Sequence, residues 1–247
     1  MSQFLINKTN VVGDKIFIYK NDKDFKHIFK VSRVKVGESI KLLDDHLTQY
    51  LAKVSEINVD FATLDILNIF NKIDSKENKF TLYQCIPKSN KIEAIIEKSV
   101  ELGVDVIAPV ISKNTAVKFN KNDYLNKLNR WNEIIISAVK QSESFKIPKI
   151  VAPVTFLEVI SNINKNDFNL IGWEHGSNNL SKFFDSFIVT NNGINLIVGA
   201  EGGFDISEID DATKYGWNNF RLQGNILRVE TAAVVLVSVI KYQLKLI

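Results

Sequence analysis

Hydrophobic and polar positions alternate over short stretches in the first third of the chain: residues 15–20 (KIFIYK), 39–43 (SIKLL), 49–57 (QYLAKVSEI) and 61–70 (FATLDILNIF). These stretches are rich in β-branched and aromatic residues and are broken by Gly, Asn or Asp, which predicts strands. Between the first two, 22–33 (DKDFKHIFKVSR) carries Phe25, Ile28, Phe29 and Ser32 at helical spacing and predicts one short helix. Polar, aperiodic 71–78 (NKIDSKEN) reads as a linker. The division therefore falls into a small β-barrel at 1–72 and a second domain at 73–247.

After the linker the rhythm becomes strand, helix, strand, helix. KFTLYQCIP (79–87) is followed by KSNKIEAIIEKSVELG, where Ile92, Ile95, Ile96, Ser99, Val100 and Leu102 form a stripe and Gly103 suits a left-handed C-terminal position. VDVIAPV follows, then a longer helix over about 124–141 with Leu125, Leu128, Trp131, Ile134, Ile135 and Ala138 on one side. Further strands are expected at 168–173, 194–198 and 217–222, and a closing helix over about 230–245. Strands alternating with helices imply an α/β fold with a mostly parallel sheet, whose ligands lie at the carboxyl ends of the strands.

Composition narrows the class without identifying it. With 247 residues, 45% hydrophobic and 24% charged, the chain is that of an ordinary globular protein rather than a disordered or fibrous one. No apolar run reaches the length of a membrane span, and MSQFLINKTN lacks a signal-peptide layout, so a cytoplasmic protein is expected. Cys85 is alone, and His27, His46 and His175 lie far apart, so no metal site is expected.

The net charge of +3 is unevenly spread. Residues 1–43 hold nine Lys/Arg against four Asp/Glu, and 76–150 hold 13 against eight, while the intervening and final segments are acidic. Two basic segments can form one face for a phosphate backbone; a solvated lysine surface is the alternative. The four arginines, Arg33, Arg130, Arg221 and Arg228, stand among 27 lysines. An Arg in such a chain marks a place where a planar fork is needed rather than a point charge.

Two motifs could carry chemistry. INLIVGAEGGFDISEID (194–210) is an apolar strand, a turn holding Gly199, Gly202 and Gly203, and a helix opened by Asp205 or Ser207 with Glu208 in its first turn. The spacing matches neither the dinucleotide fingerprint nor the P-loop. FRLQGNILRVETAAVVLVSVI (220–240) is a strand end, a turn at Gly224, and a polar group, Arg228, Glu230 and Thr231, ahead of an apolar helix. These polar residues must reach each other, as a helix cap with an Arg–Glu pair, or reach a ligand.

GAEGGFDISE followed by LQGNILRVETAA closely resembles the paired GPEGG and LG-x-x-ILR-x-ETA motifs of the RsmE family of bacterial ribosomal RNA methyltransferases. HIFKVSRVKVGESIKLLD, KIEAIIEKSVELGVDVIAPV and NRWNEIIISAVKQS resemble three further segments of that family in the same order. The resemblance implies a PUA-like β-barrel, with Arg33 and Lys30 facing RNA, followed by a SPOUT-type trefoil-knotted parallel sheet that binds S-adenosyl-L-methionine. It implies a homodimer that methylates N3 of a uridine in 16S ribosomal RNA of the small subunit. By position, Gly199, Glu201, Gly202 and Gly203 would form one wall of the cofactor pocket, with Ala200 also at the cofactor and Gly172 nearby on an earlier strand. Leu222, Gly224, Ile226, Leu227 and Thr231 would form the other.

Five positions depart from the family pattern. Ala200 replaces Pro, Val229 replaces Thr, Ser32 replaces Leu, and Asn114 and Ser144 stand where Arg is usual, with Lys113 and Lys146 as stand-ins for the RNA contact. N3 of uracil is a poor nucleophile while protonated, so the site needs a base and a stabiliser of charge on O2 and O4. Arg228 is expected to stabilise that charge, with Glu230 fixing Arg228 or acting as base and Glu201 as the rival base. The alternative is an RNA-binding protein of the same fold with lost or retargeted activity.

Overall fold

The computed structural model describes residues 3–70, 79–115, 121–176, 178–184 and 193–246; the expected linker at 71–78 lies outside them. The chain divides into two compact units, one of residues 1–75 with 139–146 and one of 76–138 with 147–247.

The first unit is a six-stranded half-barrel. Its strands are β1 (Gln3–Ile6), β2 (Val11–Val12), β3 (Lys15–Tyr19), β4 (Ser39–Asp44), β5 (Gln49–Ile57) and β6 (Phe61–Phe70), in the order β1-β4-β5-β6-β3-β2. Alternation does what it predicts: in β3, Ile16 and Ile18 are buried while Lys15 and Tyr19 face solvent. Ile28, Leu42, Ala52 and Leu64 complete the core. The expected helix is realised as a short π-helical turn at His27–Val31, closed by Ser32 N donating to His27 O at 2.8 Å. Strand β1 has no signal of its own, because four residues are too short to show alternation; it is held by parallel pairing to β4. Residues 139–146 belong to this unit through buried polar contacts. Lys140 Nζ meets Asp24 Oδ1 at 2.6 Å, and Gln3 Nε2 donates to Ser144 O at 3.0 Å.

The second unit is an α/β layer structure with an all-parallel seven-stranded sheet. In chain order it comprises β7 (Phe80–Cys85), α1 (Lys91–Glu101), β8 (Val106–Ile111), α2 (Lys121–Ser142), whose last turn belongs to the first unit, β9 (Lys149–Ile150) and β10 (Val154–Thr155). It continues with α3 (Phe156–Ser161), β11 (Phe168–Gly172), α4 (Ser181–Phe184), β12 (Ile194–Val198), α5 (Ile206–Tyr215), β13 (Asn218–Phe220) and α6 (Val229–Gln243). The order is β10-β8-β7-β12-β11-β13, with β9 also on β8. Every residue of β12 is buried, as a strand covered on both faces requires.

Helices α3 and α5 cover one face over Cys85, Ile171, Ile197 and Trp217. On the other face α6 packs against α1 and β12. It lies so close to β11 that a Cβ on Gly172 would meet Leu236 Cδ1 at 2.9 Å. Lys241 of α6, 7% exposed, donates to Leu102 O at 2.7 Å and Gly103 O at 3.0 Å, satisfying carbonyls at the end of α1. Gly103 takes the left-handed conformation, φ 69°, that its place after α1 led us to expect.

The path of the last segment sets up the site. From β13, at the sheet edge, the chain runs beside residues 178–179, where Arg221 N donates to Asn178 O at 3.1 Å. It then recrosses β11 and β12 to lay α6 against α1, the crossing that the SPOUT-type fold requires.

Candidate active site

A cavity of about 550 Å³ opens at the carboxyl ends of β11, β12 and β13, where a parallel sheet presents its ligands. Gly172, Gly199, Ala200, Glu201, Gly203, Leu222, Gly224, Ile226, Leu227 and Arg228 line it, so the structure brings together ten residues singled out from sequence. Gly202, Glu230 and Thr231 are not on its wall; Thr231 faces solvent, so a cofactor contact there finds no support in the geometry. Lys91, Trp173 and Glu174 line the cavity and were missed. Lys91 had a signal, since it opens the helix that follows a central parallel strand.

The first wall is the turn 199–203. Its glycines make room for the protein's own side chains. A Cβ on Gly199 would meet Phe204 Cε2 at 3.1 Å, one on Gly202 would meet Asn114 Cβ at 3.1 Å, and one on Gly203 would meet Glu174 Oε1 at 2.3 Å. Gly203 also has φ 59°, the left-handed region that a side chain strains. Asn114 then donates from Nδ2 to Gly202 O at 2.8 Å. An Asn here, where the resemblance led us to look for a missing RNA-facing Arg, thus clasps the turn. Lys113 helps: its amide donates to Glu208 Oε1 at 2.9 Å, and its ammonium donates to Ser207 Oγ at 2.5 Å and pairs with Asp205 at 3.3 Å. Asp205 is the N-cap of α5, accepting from Ser207 N.

Glu201 points to a different element. Its Oε2 accepts from Lys88 N at 3.0 Å and its Oε1 from Lys91 Nζ at 2.8 Å. Burial alone would push the carboxyl up, but these hydrogen bonds outweigh it and hold Glu201 below the usual carboxylate range. Lys91 Nζ also lies 3.7 Å from Glu230 Oε2, an atom that is buried and has no hydrogen bond among the described residues. The bond to Glu201 raises the Lys91 ammonium above its ordinary value, with Arg228 nearby opposing it.

The second wall is the segment 221–228. Among the described residues, no amide or carbonyl from 222 to 227 is engaged in a hydrogen bond, so this wall is a ribbon of free backbone donors and acceptors. Gly224, φ 114°, has nothing within 4 Å of where a Cβ would stand, and Ile226 is 84% exposed. Val229, in place of the family Thr, is buried at the start of α6. Of the alternatives left open for Arg228 and Glu230, a pair between them is not formed: Glu230 faces Lys91, and the Arg228 side chain has no ion-pair partner among the described residues. Arg228 is the extended N-cap and Glu230 stands two residues further on, about 200° around a helical turn, which carries the two side chains apart.

The residues expected to face RNA distribute over both units. Lys30 and Arg33 are exposed in the first unit, with Arg33 at φ 55°. Lys146, half-buried, belongs to that unit too, its amide donating to Ser144 Oγ at 3.0 Å. Lys113 is in the second unit, engaged as described. Cys85 is buried and its thiol pushed up to about 12 by that burial, which makes it inert. No group of three His, Cys, Asp or Glu side chains that could hold a metal occurs among the described residues, and no helix there is long and apolar enough to cross a membrane.

Set beside known proteins, residues 74–241 match the family model of an RNA methyltransferase domain, and residues 21–67 match that of an RNA methyltransferase PUA domain. Ribosomal RNA small subunit methyltransferase E of Mesomycoplasma hyopneumoniae is 36% identical over 164 residues, covering 66% of this chain and 69% of its own length. The protein of the same name from Buchnera aphidicola (subsp. Acyrthosiphon pisum) is 28% identical over 225 residues, covering 91% and 87%. Among solved structures, ribosomal RNA small subunit methyltransferase E from Neisseria gonorrhoeae, bound to S-adenosyl methionine, is similar with a TM-score of 0.82 and 27% identity, covering 98% of this chain and 97% of that one. A methyltransferase from Legionella pneumophila in complex with bound SAM is similar at a TM-score of 0.81 and 25% identity, covering 97% and 96%.

Proposed function

Because the chain belongs to the RNA methyltransferase family, whose domain it carries over residues 74–241, we propose that it transfers a methyl group from S-adenosylmethionine to N3 of a uridine in 16S ribosomal RNA. The observation that carries this reading is the cavity between the clasped turn 199–203 and the open ribbon 222–227. At about 550 Å³ it is within the range of small-molecule sites, roughly 300–1,000 Å³. Its chemistry fits the cofactor. The ribbon offers unused N–H and C=O groups to a purine edge, Leu222, Leu227 and Leu236 offer apolar surface, and Glu174 offers a carboxylate to an ammonium.

When bound, the cofactor supplies a methyl group on a sulfonium centre. The chain's own residues do the rest. Arg228, which lines the cavity and has no ion-pair partner among the described residues, would meet the uracil oxygens on which charge develops as N3 loses its proton. Of the two candidate bases, Glu230 is favoured. Both Glu201 oxygens already accept hydrogen bonds, whereas Glu230 Oε2 accepts none among the described residues. The first unit supplies exposed Lys30 and Arg33 for the RNA backbone, and the family's homodimer is part of the proposal.

Calorimetric titration with S-adenosylhomocysteine tests the reading. Saturable binding that is lost when the cavity is blocked by Leu227→Trp supports it. No binding to the intact protein would contradict it.

A further inference from the structure

Lys91 joins three elements that meet at the cavity. It is the first residue of α1, it lines the cavity, and its ammonium lies 2.8 Å from Glu201 on the turn after β12 and 3.7 Å from Glu230 at the start of α6. Glu201 lines the cavity and Glu230 stands just behind its wall at the start of α6, so one cation at the cavity holds the two carboxylates toward one another.

The two contacts differ. With Glu201 the ammonium makes a hydrogen bond, and the Lys88 amide takes the other oxygen, so this carboxylate is fully committed. With Glu230 the separation is too long for a hydrogen bond, and Oε2 remains buried and unbonded. A buried carboxylate oxygen without a donor is costly unless a nearby positive charge supports it. Lys91 supplies that charge from 3.7 Å without a hydrogen bond to the oxygen. Arg228, the other cation at this corner, has no ion-pair partner among the described residues and keeps its fork for another contact.

We infer that Lys91 is a positioning residue for methyl transfer: anchored on Glu201, its ammonium holds the Glu230 carboxylate in place beside the cavity. The inference rests on the proposed function and names a residue outside the two glycine motifs. It separates the two carboxylates by task, with Glu201 as the anchor of Lys91 and Glu230 as the group that Lys91 orients.

The test uses the full chain with Lys91→Met and Lys91→Arg, measuring affinity for S-adenosylhomocysteine, single-turnover methylation of small-subunit RNA, and melting temperature. The Lys91 side chain is 36% exposed, at the edge of the helix, so neither change disturbs the core. The expected result for Lys91→Met is methylation at least ~10-fold slower with cofactor affinity within about threefold of the unsubstituted protein, the pattern of an interaction that matters in the transition state. Lys91→Arg, which can bridge both carboxylates, should recover most of the rate. Full-rate methylation by Lys91→Met would overturn the inference. So would rate, affinity and melting temperature that fall together in both variants, since that marks a purely structural pair. An unsubstituted protein that neither binds the cofactor product nor methylates RNA overturns the proposed function itself, which distinguishes the two failures.

Discussion

The two walls of the cavity are both built on glycine turns, yet they differ in what fills the space that glycine leaves. In the turn 199–203 that space holds Phe204, Asn114 and the Glu174 carboxylate. At Gly224 in the segment 222–227 nothing among the described residues fills it, and the backbone beside it makes no hydrogen bond to them. A glycine-rich motif is therefore not by itself evidence of a ligand. The first turn is a packed, clasped piece of scaffold, and the second is the open wall to which the proposed function assigns ligand recognition.

The largest effect is expected where the scaffold is tightest. Gly203→Val places a β-branched side chain at a positive φ, costing about 1–2 kcal/mol, and drives it into Glu174 for about 1–3 more. Melting temperature and cofactor affinity should fall together. Adding Glu174→Ala to Gly203→Ala should recover part of the stability, because the carboxylate is what the new methyl meets. Gly224→Ala pays only the strain of φ 114°, since it meets nothing within 4 Å. An affinity loss larger than its stability loss would mark the second wall as the ligand-bearing one; equal losses at both glycines would erase the distinction.

Next is Arg228→Lys, which keeps the charge and removes the fork. Single-turnover methylation is expected to fall by at least ~10-fold, or ~1.4 kcal/mol, with cofactor affinity nearly unchanged. Full activity in a less stable protein would assign Arg228 to anchoring α6 instead.

Most of this architecture was legible because its signals are local. Long apolar runs with short turns gave the parallel strands and α1, and the glycines after β12 and β13 marked the cavity. What was not legible depends on contacts distant in sequence. Asn114 lies 88 residues from the carbonyl it clasps, and Lys91 lies 110 residues from Glu201. Residues 139–146 pack with the first unit through Asp24 and Gln3, which no periodicity in α2 announces. Which of the two alternatives for Arg228 and Glu230 holds was not legible either, since closeness in sequence is not closeness in space at a helix start.

A smaller effect is expected from Asn114→Ala, which removes one hydrogen bond to Gly202 O near the surface, about 0.5–1.5 kcal/mol. Cofactor affinity should drop a fewfold, and an Arg at that position should not restore it if the clasp is what counts. RNA affinity that falls while cofactor affinity holds would instead place Asn114 in the RNA contact.

The smallest effect concerns acid. Glu201 titrates below its ordinary value of 4.5 in the folded chain, so its contribution to stability is complete above that pH and is lost as pH falls through the lower, folded value. Glu201→Gln should therefore flatten part of the acid limb of melting temperature against pH. Identical limbs would show that the anchor to Lys91 contributes nothing measurable, as for many surface pairs.

The most direct measurement of the central claim is nucleoside mass spectrometry of 16S ribosomal RNA from cells with and without this gene. The account expects N3-methyluridine at one position when the gene is present, its loss on deletion, its return with the intact gene, and no return with Arg228→Ala. Unchanged N3-methyluridine in the deletion strain would contradict it.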